Sequence, residues 1–89
     1  MTSVSEHKNI ILQASASFCN PCQQAKRHIK AIGAEDKVVY IDVEANEALV
    51  SLYKIKNLPT FILLDFDGKE VERFVGFDKV KIDDMLLKI

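Results

Sequence analysis

An α/β fold is predicted by three features of the sequence. Short runs rich in apolar and β-branched residues recur along it, segments of helical period separate them, and an Asp-Gly turn joins the last two runs. The order is β-α-β-α-β-β-α. Strands separated by a helix run parallel through a right-handed crossover, whereas the last two close as an antiparallel hairpin. A four-stranded mixed sheet with helices on both faces buries every amphipathic element of this order.

The elements follow in turn. Met1–Lys8 is polar and reads as a poorly ordered start. Asn9–Ala14 carries a compact apolar run of strand length, suited to burial on both faces. After the cysteine-containing turn, Cys22, Ala25, Ile29 and Ile32 fall at helical steps on one face, and Gly33 is placed to end that helix. Lys26, Arg27 and Lys30 lie off that face and form a solvated flank adding positive field near Cys19. Lys37–Val43 is the second strand, and Leu49, Leu52 and Tyr53 mark a shorter helix. Pro59 interrupts helical continuation and biases Leu58 toward extended geometry. Thr60–Phe66 is the third strand, and Phe61, Phe66 and Phe74 are read as core or sheet-face residues. Asp67-Gly68 is the hairpin turn, and Glu70–Val75 returns as an edge strand with Val71 and Val75 on one face and Glu72 opposite. Asp78 caps a last helix whose buried stripe is Ile82, Met85, Leu86 and Ile89.

Length and charge narrow the function. The 89 residues predict one domain, 1–89, with a modest core and the composition of a soluble globular protein, 48% hydrophobic and 28% charged. A net charge of −1 without basic clusters argues against nucleic acid. No apolar run approaches membrane-spanning length, and Met1–Lys8 lacks the apolar region of a signal peptide. The expectation is a cytoplasmic monomer with no membrane partner. In that reducing compartment a lone Cys-x-x-Cys is catalytic or metal-binding rather than a structural staple.

Chemistry concentrates in Ser17-Phe18-Cys19-Asn20-Pro21-Cys22, which holds both cysteines where a strand gives way to a helix. The spacing lets the second sulfur reach the first across one turn, so the pair can close into a disulfide and reopen. The unpaired N–H groups and positive dipole end of a helix start favour a thiolate on Cys19 and lower its pKa. Cys19 is therefore the candidate attacking thiol and Cys22 the resolving one. Zinc would require further ligands. The only histidines are His7 and His28, and Cys22 and His28, six apart on one helix, fall on different faces. Metal is the weaker reading.

With these residues in order, the chain resembles the thioredoxin family. Phe18-Cys19-Asn20-Pro21-Cys22, Ile41-Asp42-Val43-Glu44, Leu58-Pro59-Thr60-Phe61 and Val75-Gly76 carry the resemblance, which spans residues 9–89. It implies a thioredoxin fold in minimal form and dithiol–disulfide oxidoreductase activity on protein disulfides. It also implies a cis Pro59 facing the cysteines. The substrate rim would be Phe18, Asn20, Pro21, Leu58, Pro59 and Gly76, with Leu58 backbone groups pairing to an extended substrate. No bound cofactor is implied; electrons would come from an NADPH-dependent flavoprotein of the thioredoxin reductase kind.

The chain also departs from the family pattern. Eight residues before the first strand leave no room for the extra strand and helix of longer thioredoxins. Phe18 stands where a tryptophan is usual and Asn20 where a glycine is. Gln13 replaces a buried aspartate credited with taking the resolving cysteine's proton, and Tyr40 replaces a lysine that often accompanies it. Two other readings remain. One is a glutathione-dependent, glutaredoxin-like enzyme, against which Pro59-Thr60 and the lack of a basic residue just before Cys19 both speak. The other is a redox-inactive binding module on the same fold.

Overall fold

The computed structural model describes residues 9–89, so the start expected to be poorly ordered, residues 1–8, lies outside the described residues. The elements are β1 (Ile10–Ser15), α1 (Asn20–Ala31), a 3-10 turn (Glu35–Lys37), β2 (Val38–Asp42), α2 (Glu47–Leu52), β3 (Thr60–Leu64), β4 (Glu70–Val75) and α3 (Lys79–Leu86). The sheet order is β2-β1-β3-β4, with β1 parallel to β2 and antiparallel to β3, and β4 antiparallel to β3 at the edge. This is the predicted four-stranded mixed sheet.

Side chains that alternate along the central strands build two cores, one per face. Ile11, Phe61 and Leu63 meet Ala25 and Ile29 of α1 and Ile82 and Met85 of α3. Leu12, Ala14, Ile62 and Leu64 point the other way, against Leu49, Val50 and Tyr53 on the α2 side. Both central strands are therefore covered on each face, which explains their nearly continuous apolar sequence.

Local chemistry fixes the ends. Gly33, at φ +73°, closes α1: its N–H donates to Lys30 O and the Ala34 N–H reaches back to Ile29 O, each at 3.0 Å. These two bonds satisfy carbonyls that the last turn leaves open, and glycine takes the left-handed conformation without a Cβ penalty. The Asp78 carboxylate accepts from Lys81 N at 3.1 Å and starts α3 as expected. In the hairpin, the Asp65 carboxylate accepts from Asp67 N and Lys69 N, both at 2.9 Å, and Gly68 takes φ +83°.

Several expectations need correction. Ile32 is exposed beyond the last turn of α1, because the chain has already turned away at Gly33. Leu52 is 68% exposed, and Val50 takes its place beside Leu49 and Tyr53 in the core. Lys37 belongs to the 3-10 turn, and β3 stops at Leu64, leaving Phe66 exposed in the hairpin loop. In β4, Leu63 opposes Glu72 while Leu64 opposes Glu70, so Val71 is an extra, bulged residue. Val71 and Val75 are both exposed; the residue that packs inward is Phe74, stacked on Phe61 with ring centroids 4.7 Å apart.

Candidate redox site

Register brings together what the sequence separates. β1 and β3 are antiparallel with Ala14 opposite Thr60, so the end of β1 and the beginning of β3 lie at the same edge. Thr60 also opposes Val75, which delivers the end of β4 to that edge, and Ser15 opposite Asp42 delivers the end of β2. The cysteine turn, Leu58-Pro59, Gly76 and Val43 therefore meet, although up to 57 residues separate Cys19 from Gly76.

Cys19 is the N-cap of α1, and its sulfur accepts from the Cys22 N–H at 3.2 Å. The turn before it is tied by Cys19 N donating to Ala16 O at 3.1 Å. Pro21 occupies the first helical turn, where a missing N–H forfeits no intrahelical bond. Cys19 and Cys22 are joined as a disulfide with Cα atoms 5.2 Å apart. Cys22 is 0% exposed and Cys19 is 8% exposed, so of the two residues only Cys19 retains any contact with solvent. No acidic side chain sits in the first turn of α1 to oppose negative charge on Cys19.

Around the sulfurs, Ala16, Cys19 and Cys22 form a small buried cluster against which Leu58 and Val43 pack. The Leu58–Pro59 bond is cis, as the resemblance implied, and Pro59 O accepts from Gly76 N at 2.8 Å. Gly76 has φ +97° and open space where a Cβ would stand. Phe18 is 72% exposed, and Asn20 and Pro21 are exposed beside it. Phe18, Asn20 and Pro21 thus flank the disulfide from the α1 side, with Leu58, Pro59 and Gly76 on the other strand ends.

Gln13 is fully buried beneath this site, and its Nε2 donates to Cys22 O at 3.2 Å. Its Oε1 has no partner among the described residues, nor does the buried hydroxyl of Tyr40, which faces Gln13 across β1 and β2. Burial pushes the Tyr40 phenol above the usual tyrosine range, and Glu35 adds to the effect. Lys26, expected on a solvated flank, instead holds its ammonium over the Tyr40 ring, 5.2 Å from the centroid. His28, to which no role was assigned, bonds Asp83 through Nε2 at 2.8 Å and meets Phe77 edge-on at 6.5 Å.

Two contributions were not legible as such in the sequence. Val43, placed there in the second strand and within the Ile41-Asp42-Val43-Glu44 motif but given no part in the site, lies just past β2, packs on the cysteine cluster and donates its N–H to Ser15 O at 3.0 Å. Gln23 reaches Ala16 O at 3.5 Å from the second turn, and no pattern in the sequence marks it. Among the described residues no group of three or more His, Cys, Asp or Glu side chains gathers to hold a metal, and His7 lies outside them. No helix among the described residues is long and apolar enough to cross a membrane.

Comparison with known proteins agrees with this geometry. The profile of the Thioredoxin family matches residues 1–88. Thioredoxin-1 of Drosophila melanogaster is 30% identical over 88 residues, covering 94% of this chain and 81% of its own. Thioredoxin of Chlamydia muridarum is 34% identical over 83 residues, covering 90% and 78%. Among solved structures, the germline-specific thioredoxin Deadhead of Drosophila melanogaster superposes with a TM-score of 0.81 at 30% identity, over 98% of this chain and 86% of that one. Thioredoxin NaTrxh of Nicotiana alata gives 0.81 at 35% identity, over 92% and 73%. A cysteine pair closed at the start of a helix, packed by the Leu58 of a cis Leu58–Pro59 bond and set in a fold shared with these proteins, leaves one placement: the chain belongs to the thioredoxin family and is a protein thiol–disulfide oxidoreductase.

Proposed function

We propose that this oxidoreductase runs toward reduction of protein disulfides, with Cys19 attacking and Cys22 resolving. The observation that carries this is the Cys22 N–H aimed at the Cys19 sulfur, at the N-cap of a helix without acidic residues in its first turn. In the dithiol state the same N–H and the helix dipole stabilise a thiolate at Cys19 and lower its pKa.

Cys19 thiolate attacks one sulfur of the substrate, forming a mixed disulfide and expelling the other sulfur as a thiolate. Cys22 then attacks Cys19, closing the Cys19–Cys22 disulfide. Its proton goes to the substrate sulfur that leaves, so the substrate gains two electrons and the enzyme loses them. The Gln13 amide takes no proton; it holds the Cys22 carbonyl and so positions the resolving residue.

Phe18, Asn20, Pro21, Leu58 and Gly76 form the substrate rim; Pro59, expected on it, is fully buried and holds Leu58 and Gly76 from beneath through its cis bond and its carbonyl. Leu58 packs on the cysteine cluster while its backbone N–H and C=O make no hydrogen bond to a described residue. An extended substrate segment supplies the missing partners. No resident cofactor takes part, and an NADPH-dependent flavoprotein of the thioredoxin reductase kind restores the dithiol. The chain works as one domain, a cytoplasmic monomer.

The test is reduction of a protein disulfide driven by dithiothreitol. Cys19→Ser is expected to fall to the uncatalysed rate, and Cys22→Ser to trap the mixed disulfide as a covalent adduct. Equal rates for wild type and Cys19→Ser would remove Cys19 from the reaction. Turnover supported by glutathione with glutathione reductase, but not by thioredoxin reductase, would replace the proposed electron donor.

A further inference from the structure

A groove of about 400 Å³ lies beside the redox site, lined by Gln24, Arg27, His28 and Ala31 of α1 together with Phe77 and Lys79 where α3 begins. We propose that this groove receives an acidic segment of the disulfide substrate; the proposal rests on the reading of the site given above and names the substrate class it prefers.

Continuity comes first. Phe77 directly follows Gly76, whose N–H is fixed on Pro59 O at 2.8 Å, so one end of the groove adjoins the substrate rim. Its wall is held in place: His28 joins α1 to α3 through Asp83 at 2.8 Å and stands edge-on to Phe77. Charge comes second. Arg27 and Lys79 are exposed, and neither is in an ion pair with a described residue. No carboxylate lines the groove; the neighbouring Asp83 and Asp78 keep their charge but engage His28 Nε2 and the Lys81 N–H. Two uncommitted cations thus flank a floor of Ala31 and half-buried Phe77, a setting that favours carboxylates on an extended chain. The whole protein carries a net charge of −1, so a preference for anions must arise locally.

Helix rise sets the distance. Arg27 is eight residues beyond Cys19, the residue that bonds the substrate sulfur, about 12 Å along the axis at 1.5 Å per residue. An extended chain covers about 3.3 Å per residue, which puts the preferred acids about three to five positions from the substrate cysteine.

The experiment uses the reduced full chain and short peptides whose single cysteine is disulfide-bonded to 2-nitro-5-thiobenzoate, with thiolate release as the readout. Two Asp, two Lys or two Ser residues are placed at these positions, on either side of the cysteine. At low salt the Asp peptide is expected to react about three- to tenfold faster than the Lys peptide, with the gap closing at high salt. Arg27→Glu/Lys79→Glu should abolish or invert that preference, read as the Asp-to-Lys rate ratio with each rate divided by that of the Ser peptide for the same variant. Lys37→Glu/Lys69→Glu, which alters net charge equally on exposed residues of the 3-10 turn and the hairpin, should retain it. Equal rates for Asp and Lys peptides with wild type, or a preference surviving in the groove variant or lost in the control variant, would overturn the proposal. Failure of wild type to reduce the Ser peptide, by contrast, would overturn the underlying redox reading.

Discussion

Tyr40 and Gln13 show how much a single residue can change beneath a redox site. Their side chains are neighbours under α1, and each carries a buried oxygen without a described partner. Neither side chain is charged at neutral pH, so this position supplies no carboxylate to the resolving cysteine. The raised Tyr40 pKa gives stability a sign at high pH. The unfolded chain ionises its tyrosine first, so the stability that depends on the neutral phenol is whole below about pH 10 and is lost as pH rises through the folded value. Tyr40→Phe removes that titration and an unpartnered hydroxyl together. It is expected to leave stability at pH 7 unchanged or slightly higher, and to flatten the loss above pH 10. Thermal unfolding of both proteins at pH 7 and pH 11 checks this, and an equally steep alkaline loss in the variant would show the titration to lie elsewhere.

Among the elements, α3 is short, with eight residues, and its start depends on one carboxylate. Asp78→Ala is expected to cost about 1 kcal/mol, read as a lower urea midpoint at unchanged slope. This cap was legible in the sequence because a side-chain acceptor before a helical stripe has one physical use. Helix phase was harder to read. Leu49, Leu52 and Tyr53 fit a helical period as well as Leu49, Val50 and Tyr53 do, and only the position of β3 decides that Val50 turns inward. The bulge at Val71 was likewise invisible, since an extra residue in one strand is defined only against its partner. The cysteine turn could be named in advance from its residue types and spacing, and the cis proline only through the family resemblance that Leu58-Pro59-Thr60-Phe61 helps to carry. The contacts of Val43 and Gln23 could not, because they arise from where the end of β2 and the turn before α1 fall in space.

Across the whole molecule, the site is held by the central strand pair, and Phe61 lies at its middle. It is buried against α1 and α3, stacks on Phe74 and faces Gln13 in register. Phe61→Ala is expected to cost about 3–5 kcal/mol, a large share of the roughly 5–15 kcal/mol that holds a domain folded. Urea unfolding followed by circular dichroism measures that loss; a change below about 1 kcal/mol would mean that the sheet is not packed on α1 and α3 as described.

The bulge in β4 has an effect on the outside as well. A foreign chain trying to extend the sheet along that border would find its ladder broken at Val71 and charged Glu70, Glu72 and Arg73 around the break, with Arg73 already bonded to Tyr53 O at 2.6 Å. Growth by edge-to-edge pairing is therefore discouraged on this side, and visiting polypeptides are left to the opening above the sulfurs.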